Sequence, residues 1–336
     1  MNRFSALRAL SAGIIVAGAA ASAAPASAQD AMRLGTSSVG STFYVTAVAM
    51  SKLVQAHGGL NVTVEPLGGS HANMFGLQGG KVDFAIANSG AAYDALHGLE
   101  PFKKPLEVRL VAQGNPTLRW PLMRKGAEIR TPADWVGKTL SAKRRPLPEL
   151  EMIADAIIKV FDLPKDKVRL VSSVNLGEMN RTIRAGSVDG IVMPFALRQP
   201  VTSKLFHDGI FEPLVLSKAD FDKVKAALPD MFYAFQVPAN NFKNQPEPFW
   251  SLAMNTLLTT GANASDDLVY KTTKAVMGNN AEFRKYMPAA RYWTAKRTME
   301  EPKVPFHPGA IRYYREVGVW NADMDALQAK LLKKSM

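Results

Sequence analysis

The sequence predicts an α/β protein of two lobes, with a ligand cleft between the lobes and two inter-lobe crossings. Three observations support this fold class: strands alternate with helices, their order repeats at an offset of 106 residues, and a 336-residue chain without cysteine needs a large apolar core. The repeated segments are LQGGKVDFAI, residues 77–86, and IRAGSVDGIV, residues 183–192. Few residues are identical, so the order of the elements carries the prediction.

The first segment is a predicted secretory signal peptide, residues 1–28. Arg3 and Arg8 form a positive start, an Ala- and Gly-rich apolar stretch follows, and Ala-Ser-Ala at 26–28 suits a cleavage site. A membrane anchor is the alternative, but a spanning helix needs ~20 strongly apolar residues. We therefore expect an exported, soluble protein.

Residues 29–120 are the predicted first segment of the first lobe. MRLGT, VTVEPL and VDFAIA have the length and apolar character of short strands. Residues 42–56 form a predicted helix, and its apolar face is Phe43, Ala47, Met50 and Val54. We expect Ser70 to cap a second helix, which ends at the glycine pair 79–80.

Residues 121–240 are the predicted second lobe and repeat this order. KTLSA, VRLVSS and VDGIVM are its strands. The predicted helix at 148–161 begins with proline and two glutamates, which suit a helix N-terminus. We expect a linker at 109–126 to leave the first lobe. A strand, SLAMNTLLTTG, then returns the chain, so that residues 241–336 complete the first lobe.

Polar loops follow the strands in both lobes. In open α/β sheets, ligands bind beyond the carboxyl ends of the strands. Two lobes of like topology therefore bring three loop pairs to one site: 35–44 with 141–150, 67–73 with 173–179, and 87–90 with 193–196. GTSSVGSTFY, GGSHAN and ANSG offer hydroxyl, amide and backbone donors to an anion. Helix capping alone is the plainer interpretation of these residues.

No catalytic, metal or cofactor site can be assembled from the sequence. The five histidines are scattered, and the common nucleophile, phosphate-loop and dinucleotide motifs are absent. Asp83 and Asp189 precede strands and are interpreted as turn caps rather than as a catalytic pair. His71 lies at a helix start, where it could contact a ligand, but a surface histidine at a helix end is the plainer interpretation. We predict no catalytic residue, no metal and no cofactor.

The charge balance points to acidic partners. The chain has a net charge of +12, and removal of Arg3 and Arg8 leaves 39 bases against 29 acids. Export argues against nucleic acid, which leaves small acids or an anionic envelope surface. The three bases Lys143, Arg144 and Arg145 lie in LSAKRRPLPELE, which the 106-residue offset places over LGTSSVGSTFYV. This loop is therefore predicted to face the ligand, and which base points inward is open.

Three motifs resemble the TAXI family of solute-binding proteins, the extracytoplasmic receptors of TRAP transporters. They are GTSSVGSTFYVTAVAMSKLV, GGSHANMFGLQGGKVDFAIANSGAAYDALHG and VPFHPGAIRYYREVG. The resemblance implies a periplasmic, type II binding-protein fold that closes on a small carboxylate-bearing solute and docks on a membrane permease. It also implies a pocket that includes Thr36, Thr42, Phe43, Tyr44, Ser70, Asn73 and Asn88. The loop AKRRPLPE departs from the family, whose second-lobe loop is rich in Gly, Ser and Thr.

The motifs and the resemblance together give one candidate site. Its predicted ligand-binding residues are Thr36, Ser41, Thr42, Phe43, Tyr44, Ser70, Asn73, Asn88, Ser89, Arg144, Arg145 and Phe195. The predicted function is a monomeric TRAP-type receptor for a small organic acid, with a dicarboxylate or an acidic amino acid favoured. The alternatives are an exported anion-binding or interaction protein of the cell envelope without a transport role, and a hydrolase or lyase on the same fold.

Overall fold

The computed structural model describes residues 31–229 and 231–334, so the predicted signal peptide lies outside the described residues. Its strands are β1 Ala31–Ser37, β2 Asn61–Gly68, β3 Phe84–Asn88, β4 Val108–Arg124, β5 Thr139–Lys143, β6 Arg169–Ser172, β7 Gly190–Phe195, β8 Phe211–Pro213, β9 Tyr233–Val237 and β10 Phe249–Gly261. Its α-helices are α1 Thr42–Gly58, α2 Ser70–Gln78, α3 Ser89–His97, α4 Glu149–Val160, α5 Leu176–Arg184, α6 Pro200–His207, α7 Lys218–Ala226, α8 Asp266–Gly278, α9 Asn280–Tyr286, α10 Ala295–Thr298, α11 Pro308–Glu316 and α12 Ala322–Lys334. Short 3-10 turns lie at Pro132–Trp135, Lys165–Lys167 and Pro288–Tyr292. Within the described ranges, no helix is long and apolar enough to cross a bilayer.

The sheet has two parallel parts that are joined by two antiparallel strands. Its order is β2-β1-β3-β10-β4-β7-β5-β6, with β8 on β4 and β9 on β10. β1 is parallel to β2 and β3, and β5 is parallel to β6 and β7. β10 is antiparallel to β3 and β4, and β4 is antiparallel to β7. Each parallel part is built from βαβ units, as the repeat predicts.

The repeat extends to single hydrogen bonds. Helices α2 and α5 begin and end 106 residues apart. Asp83 accepts a hydrogen bond from the N–H of Arg33 at 2.8 Å, and Asp189 accepts the equivalent bond from the N–H of Thr139 at 3.0 Å. Each aspartate thereby joins the start of one strand to its neighbour. Both residues therefore have a structural role, as interpreted, but they link neighbouring strands rather than cap a turn.

Two hydrophobic clusters define what we call the first and second lobes. The first contains β1, β3, α1 and the C-terminal helices, and the second contains β5, β7 and α4. Strand β4 contributes Leu110 to the first cluster and Leu118 to the second, so it crosses between them, as does β10. The chain thus leaves the first lobe within the predicted linker, residues 109–126, but it does so as one strand of 17 residues, nearly all of them buried, and not as a loop. The predicted lobe boundaries at residues 120 and 240 stay a prediction.

Trp293 packs flat on β4 at the crossing point. It is fully buried, and its Nε1 donates to Asn115 Oδ1 at 2.9 Å. A Cβ at Gly114 would lie 2.0 Å from the indole Cε2. Only glycine therefore allows the indole to approach the strand this closely.

The C-terminal motif HPGAIRYYRE fastens α11 to the crossing strand. His307 is 0% exposed, its Nδ1 accepts from the N–H of Gly309 at 3.1 Å, and its Nε2 donates to the Ala264 carbonyl at 3.1 Å. The Tyr314 hydroxyl donates to the Val111 carbonyl in β4 at 2.8 Å. Burial raises the pKa of Tyr314, which keeps this donor protonated. The motif is structural, and its two tyrosines are buried in the core.

The Gly114–Trp293 contact can be tested by Gly114→Ala. We expect the free energy of unfolding to fall by about 1–3 kcal/mol, because the added methyl group overpacks a buried indole. Urea denaturation followed by Trp fluorescence measures the change. Gly58→Ala is the matched control, since its Cβ would meet Ala275 at an ordinary 3.6 Å. Equal stability of the two variants would contradict this account of the crossing.

The buried His307 makes stability depend on pH. Burial lowers the pKa of His307 from its usual 6.5, so the unfolded chain binds more protons than the folded protein between the lowered pKa and about 6.5. The part of the folding stability that depends on a neutral His307 is therefore fully present above about pH 6.5, and it decreases as the pH falls below that value. In His307→Asn, which keeps a capping oxygen, this part of the pH dependence should disappear. Urea denaturation at pH 7.5 and 5.0 checks this; a constant stability difference between the two proteins would refute it.

Candidate functional site

The loops at the carboxyl ends of the strands face each other across a closed cleft. The β2–α2 turn of the first lobe lies against the β5–α4 loop of the second, where a Cβ on Gly69 would lie 3.0 Å from the Pro146 carbonyl oxygen. Gln199 of the second lobe donates from Nε2 to the Gly40 carbonyl of the first at 3.1 Å. Loops of both lobes therefore touch at this edge of the sheet, and region 67–73 contacts region 141–150.

Arg144 is the cation at the centre of this cleft. Its side chain is 3% exposed, and its Nη2 donates to Ser38 Oγ at 2.9 Å and to the Gly68 carbonyl at 2.7 Å, both in the first lobe. Its buried Nε has no hydrogen-bond partner. Burial lowers the pKa of Arg144 and attraction to Glu149 opposes this, but an arginine stays charged at neutral pH. A buried charge without an ion-pair partner favours an incoming anion.

A second guanidinium, Arg119 of β4, is already paired inside the cleft. It is 0% exposed, and its Nε donates to Glu149 Oε1 at 2.8 Å. Its Nη1 donates to the Thr117 carbonyl at 3.1 Å, and Asn88 of the first lobe donates from Nδ2 to the same Glu149 oxygen at 3.2 Å. Glu149 Oε2 is buried and has no partner. The cleft thus holds two cations and one anion, with one unsatisfied carboxylate oxygen.

A small cavity remains between these groups. It is lined by Ser37, Ser41, Thr42, Phe43, Thr117, Arg119, Arg144, Leu147, Leu176 and Pro194. Its volume, about 20 Å³, is room for a single water molecule, which needs roughly 10–15 Å³ on the same measure. The walls must therefore separate before an organic acid can enter.

Local structure explains the placement of the hydroxyls in the first lobe. Ser41 is the N-cap of α1, and its Oγ accepts from the N–H of Tyr44 at 3.1 Å. Ser37 Oγ donates to the Gly68 carbonyl at 3.1 Å. Thr36 is fully buried, and its Oγ1 has no partner. Capping and ligand contact are therefore compatible roles here, because the α1 N-terminus opens directly onto the cavity.

Four of the predicted site residues line the cavity: Ser41, Thr42, Phe43 and Arg144. Three others, Ser70, Asn73 and Asn88, are buried and are not among the lining residues. The prediction that Ser70 caps α2 is wrong, because the N-cap is Gly69. The Ser70 Oγ accepts instead from the N–H and the Nδ2 of Asn88, at 3.0 and 2.9 Å. Asn73 donates to the Ile86 carbonyl at 2.6 Å.

Two further predicted residues lie outside the cavity lining. Ser89 Oγ accepts from the N–H of Asn255 at 3.2 Å, which ties α3 to β10. Tyr44, half-buried on α1, is not part of the lining either.

The structure places three other side chains away from their predicted positions. Phe195 is 1% exposed and packs on Phe242 and Phe249 in the second-lobe core. Side chains alternate along a strand, so Pro194 lines the cavity and Phe195 points away from it. Arg145 is exposed and lines a different groove. His71, predicted to be a surface residue, is 4% exposed.

The three-base run is thereby divided into three roles. Arg144 points into the cleft, Arg145 points outward, and Lys143 pairs with Glu151 at 2.9 Å on the surface. Hydrogen bonding to Glu151 raises the pKa of Lys143.

Sequence reasoning missed Arg119, Ser37 and Thr117, and it assigned Glu149 only to the helix dipole. Arg119 and Thr117 lie in the segment that was interpreted as a linker. Arg119 is the one charged residue between positions 110 and 123, and this was the available signal, because a charge buried in a sheet needs a partner.

Solved structures of similar fold include solute-binding proteins. A Bordetella bronchiseptica RB50 protein is 17% identical over 91% of this chain and 89% of that one, with a TM-score of 0.51. MatC from Rhodopseudomonas palustris, solved with bound malate, is 10% identical over 90% and 99%, with a TM-score of 0.55. The alkanesulfonate-binding protein SsuA from Xanthomonas axonopodis pv. citri is 13% identical over 90% and 95%, with a TM-score of 0.46.

The first two similarities concern the fold alone, and they confirm the predicted class of a two-lobed, periplasmic binding protein type II-like α/β protein. The family model described as NMT1-like matches residues 34–318, which include both lobes and the cleft. The chain therefore belongs to the NMT1-like family.

Proposed function

We propose that this protein is the periplasmic solute-binding receptor of a TRAP-type secondary transporter, of the TAXI kind. In this proposal it captures a small organic anion in the cleft and delivers it to a membrane permease. The single observation that carries the proposal is Arg144, a buried guanidinium between the lobes with an unpartnered Nε and no paired carboxylate. Family membership, the similarity to the fold of MatC and the three resembling motifs support it.

The charges in the cleft favour an acidic amino acid over a plain dicarboxylate. Arg119 is neutralised by Glu149, so Arg144 alone is available to a ligand carboxylate. The unpartnered Oε2 of Glu149 is an acceptor, which suits a ligand ammonium group. An acidic amino acid brings two carboxylates and one ammonium, so its net charge matches the single unpaired cation. A dicarboxylate leaves the Glu149 oxygen unsatisfied and adds a second negative charge.

The same groups favour binding over catalysis. The hydroxyl of Ser41 caps a helix, and the buried carboxylate of Glu149, which lies behind the cavity lining, is held by Arg119 and Asn88. Neither arrangement pairs a nucleophile with a free base at hydrogen-bond distance. What the cleft supplies is donors for an anion, from both lobes, which is the geometry of a receptor that closes on its solute.

The proposal predicts that Arg144→Ala abolishes tight binding of an acid. We expect calorimetry with L-glutamate, L-aspartate, glutarate, succinate and neutral sugars to show binding to acids only. Arg144→Ala should weaken the best ligand at least ~30-fold, which corresponds to ~2 kcal/mol for a desolvated charge pair. Lys143→Ala is the matched control, since Lys143 is half-buried at the surface and paired with Glu151, and it should leave the affinity unchanged.

Two results would count against the proposal. If the protein bound only neutral sugars, Arg144 would not have the proposed role of pairing with a ligand carboxylate. Strongly salt-dependent binding to anionic envelope polymers, with no small acid bound, would favour the alternative of an envelope anion-binding protein without a transport role.

Glu149 should decide between amino acids and dicarboxylates. L-Glutamate and glutarate differ only by the amino group, so the ratio of their Kd values isolates the ammonium contact. Glu149→Gln removes the negative charge and leaves Arg119 unpaired, so the preference should shift toward glutarate by at least ~10-fold. Glu151→Gln, on the exposed side of the same helix turn, is the control. An unchanged ratio in Glu149→Gln would mean that Glu149 does not contact the ligand.

A further inference from the structure

A larger groove lies outside the cleft, where the two lobes meet at the surface. We call it the outer groove; it is lined by Leu67, His71, Ala72, Phe75, Gly76, Lys81, Pro101, Arg145 and Pro146. Its volume, about 630 Å³, falls within the range of roughly 300–1,000 Å³ that is typical of small-molecule sites. It does not share a lining residue with the cleft cavity.

The floor of the outer groove is apolar and partly exposed. Phe75 of α2 is 43% exposed, which is unusual for a phenylalanine, and its ring lies 4.6 Å from that of Phe102. Leu67 and Pro146 come from opposite lobes and complete the apolar surface. Gly76 lets Leu67 lie close to α2, because a Cβ there would be 2.5 Å from Leu67 Cδ1. An apolar ligand body would cover this surface.

Two cations line the same groove. Lys81 and Arg145 are exposed, and within residues 31–229 and 231–334 neither lies within the 4.0 Å of a carboxylate oxygen that defines an ion pair. Lys143, only two residues before Arg145, does have such a partner in Glu151. The outer groove therefore carries two positive charges that are not neutralised locally.

A buried polar atom also lacks a partner here. His71 lines the groove, is 4% exposed and stacks on Phe102 at 5.6 Å between ring centroids. Its Nε2 lies 3.2 Å from Asp94 Oδ2, and its Nδ1 has no hydrogen-bond partner. A buried polar group without a partner is costly unless a ligand or water supplies one.

We propose that the outer groove is a second binding site, which takes a small amphipathic carboxylate such as an aryl-alkanoic acid. The apolar part lies on Phe75, Leu67 and Pro146, and the carboxylate pairs with Arg145 and Lys81. This assignment gives a role to Arg145, which the cleft does not use. It does not depend on the function proposed for the cleft.

The test uses 4-phenylbutyrate as the probe and the wild-type protein, with Arg144→Ala as a second background in which any binding of the acid in the cleft is weakened. Saturation-transfer NMR should detect binding with a Kd on the order of 1 mM, as expected for a ligand of this size. Arg145→Gln with Lys81→Gln should weaken it about 3- to 10-fold, the range for exposed ion pairs. Phe75→Ala should weaken it at least ~5-fold through lost apolar contact.

Controls distinguish binding at this site from nonspecific binding of the probe. Lys143→Gln should leave the Kd unchanged, because this cation lies outside the groove lining. The uncharged analogue 4-phenylbutan-1-ol should bind more weakly than the acid. The proposal is overturned by an absence of saturable binding, by equal binding of the alcohol, or by a Kd that the Arg145, Lys81 and Phe75 substitutions leave unchanged.

Discussion

The pairing of β4 with β10 is the constraint on which the rest of the structure depends. These two antiparallel strands carry the chain between the lobes, and each contributes side chains to both hydrophobic clusters. Strand β4 also brings Thr117 and Arg119 to the cleft cavity. The parallel strands on either side of the pair direct their loops toward the same cavity. Without this pairing the two repeats would be separate α/β units with no shared site. The packing of Trp293 on Gly114 and of Tyr314 on Val111 holds the pair in place.

The order of strands and helices could be predicted, because apolar periodicity and helix-end residues act locally. The face of α1 and the C-terminal end of α2 follow from such patterns. Strand β4 could not be recognised in this way, because it is buried on both faces and lacks alternation, and its glycine and prolines suggest a linker. Because this segment was interpreted as a linker, Arg119 was not recognised as a residue of the site. Phe195 was misplaced for a related reason: alternation tells which residues share a face, but only the packed structure shows which face meets the cleft.

The loop of Lys143, Arg144 and Arg145 shows how one backbone turn distributes like charges. Three adjacent bases repel one another, and each is directed to a different environment: a surface ion pair, a buried cleft and an open groove. Composition alone indicates acidic partners, but only the directions of the side chains show that Arg144, rather than its neighbours, is the buried cation.

The hydrogen bonds of Arg144 to Ser38 and Gly68 have a kinetic consequence. They close the cleft with the protein's own groups and leave room for one water molecule, so a solute cannot enter while these particular contacts are made. A solute can bind only to molecules that have opened, and its apparent affinity is reduced by the fraction of molecules that are closed. At high solute concentration, the rate of capture therefore reaches a limit that is set by the breaking of these contacts and not by diffusion.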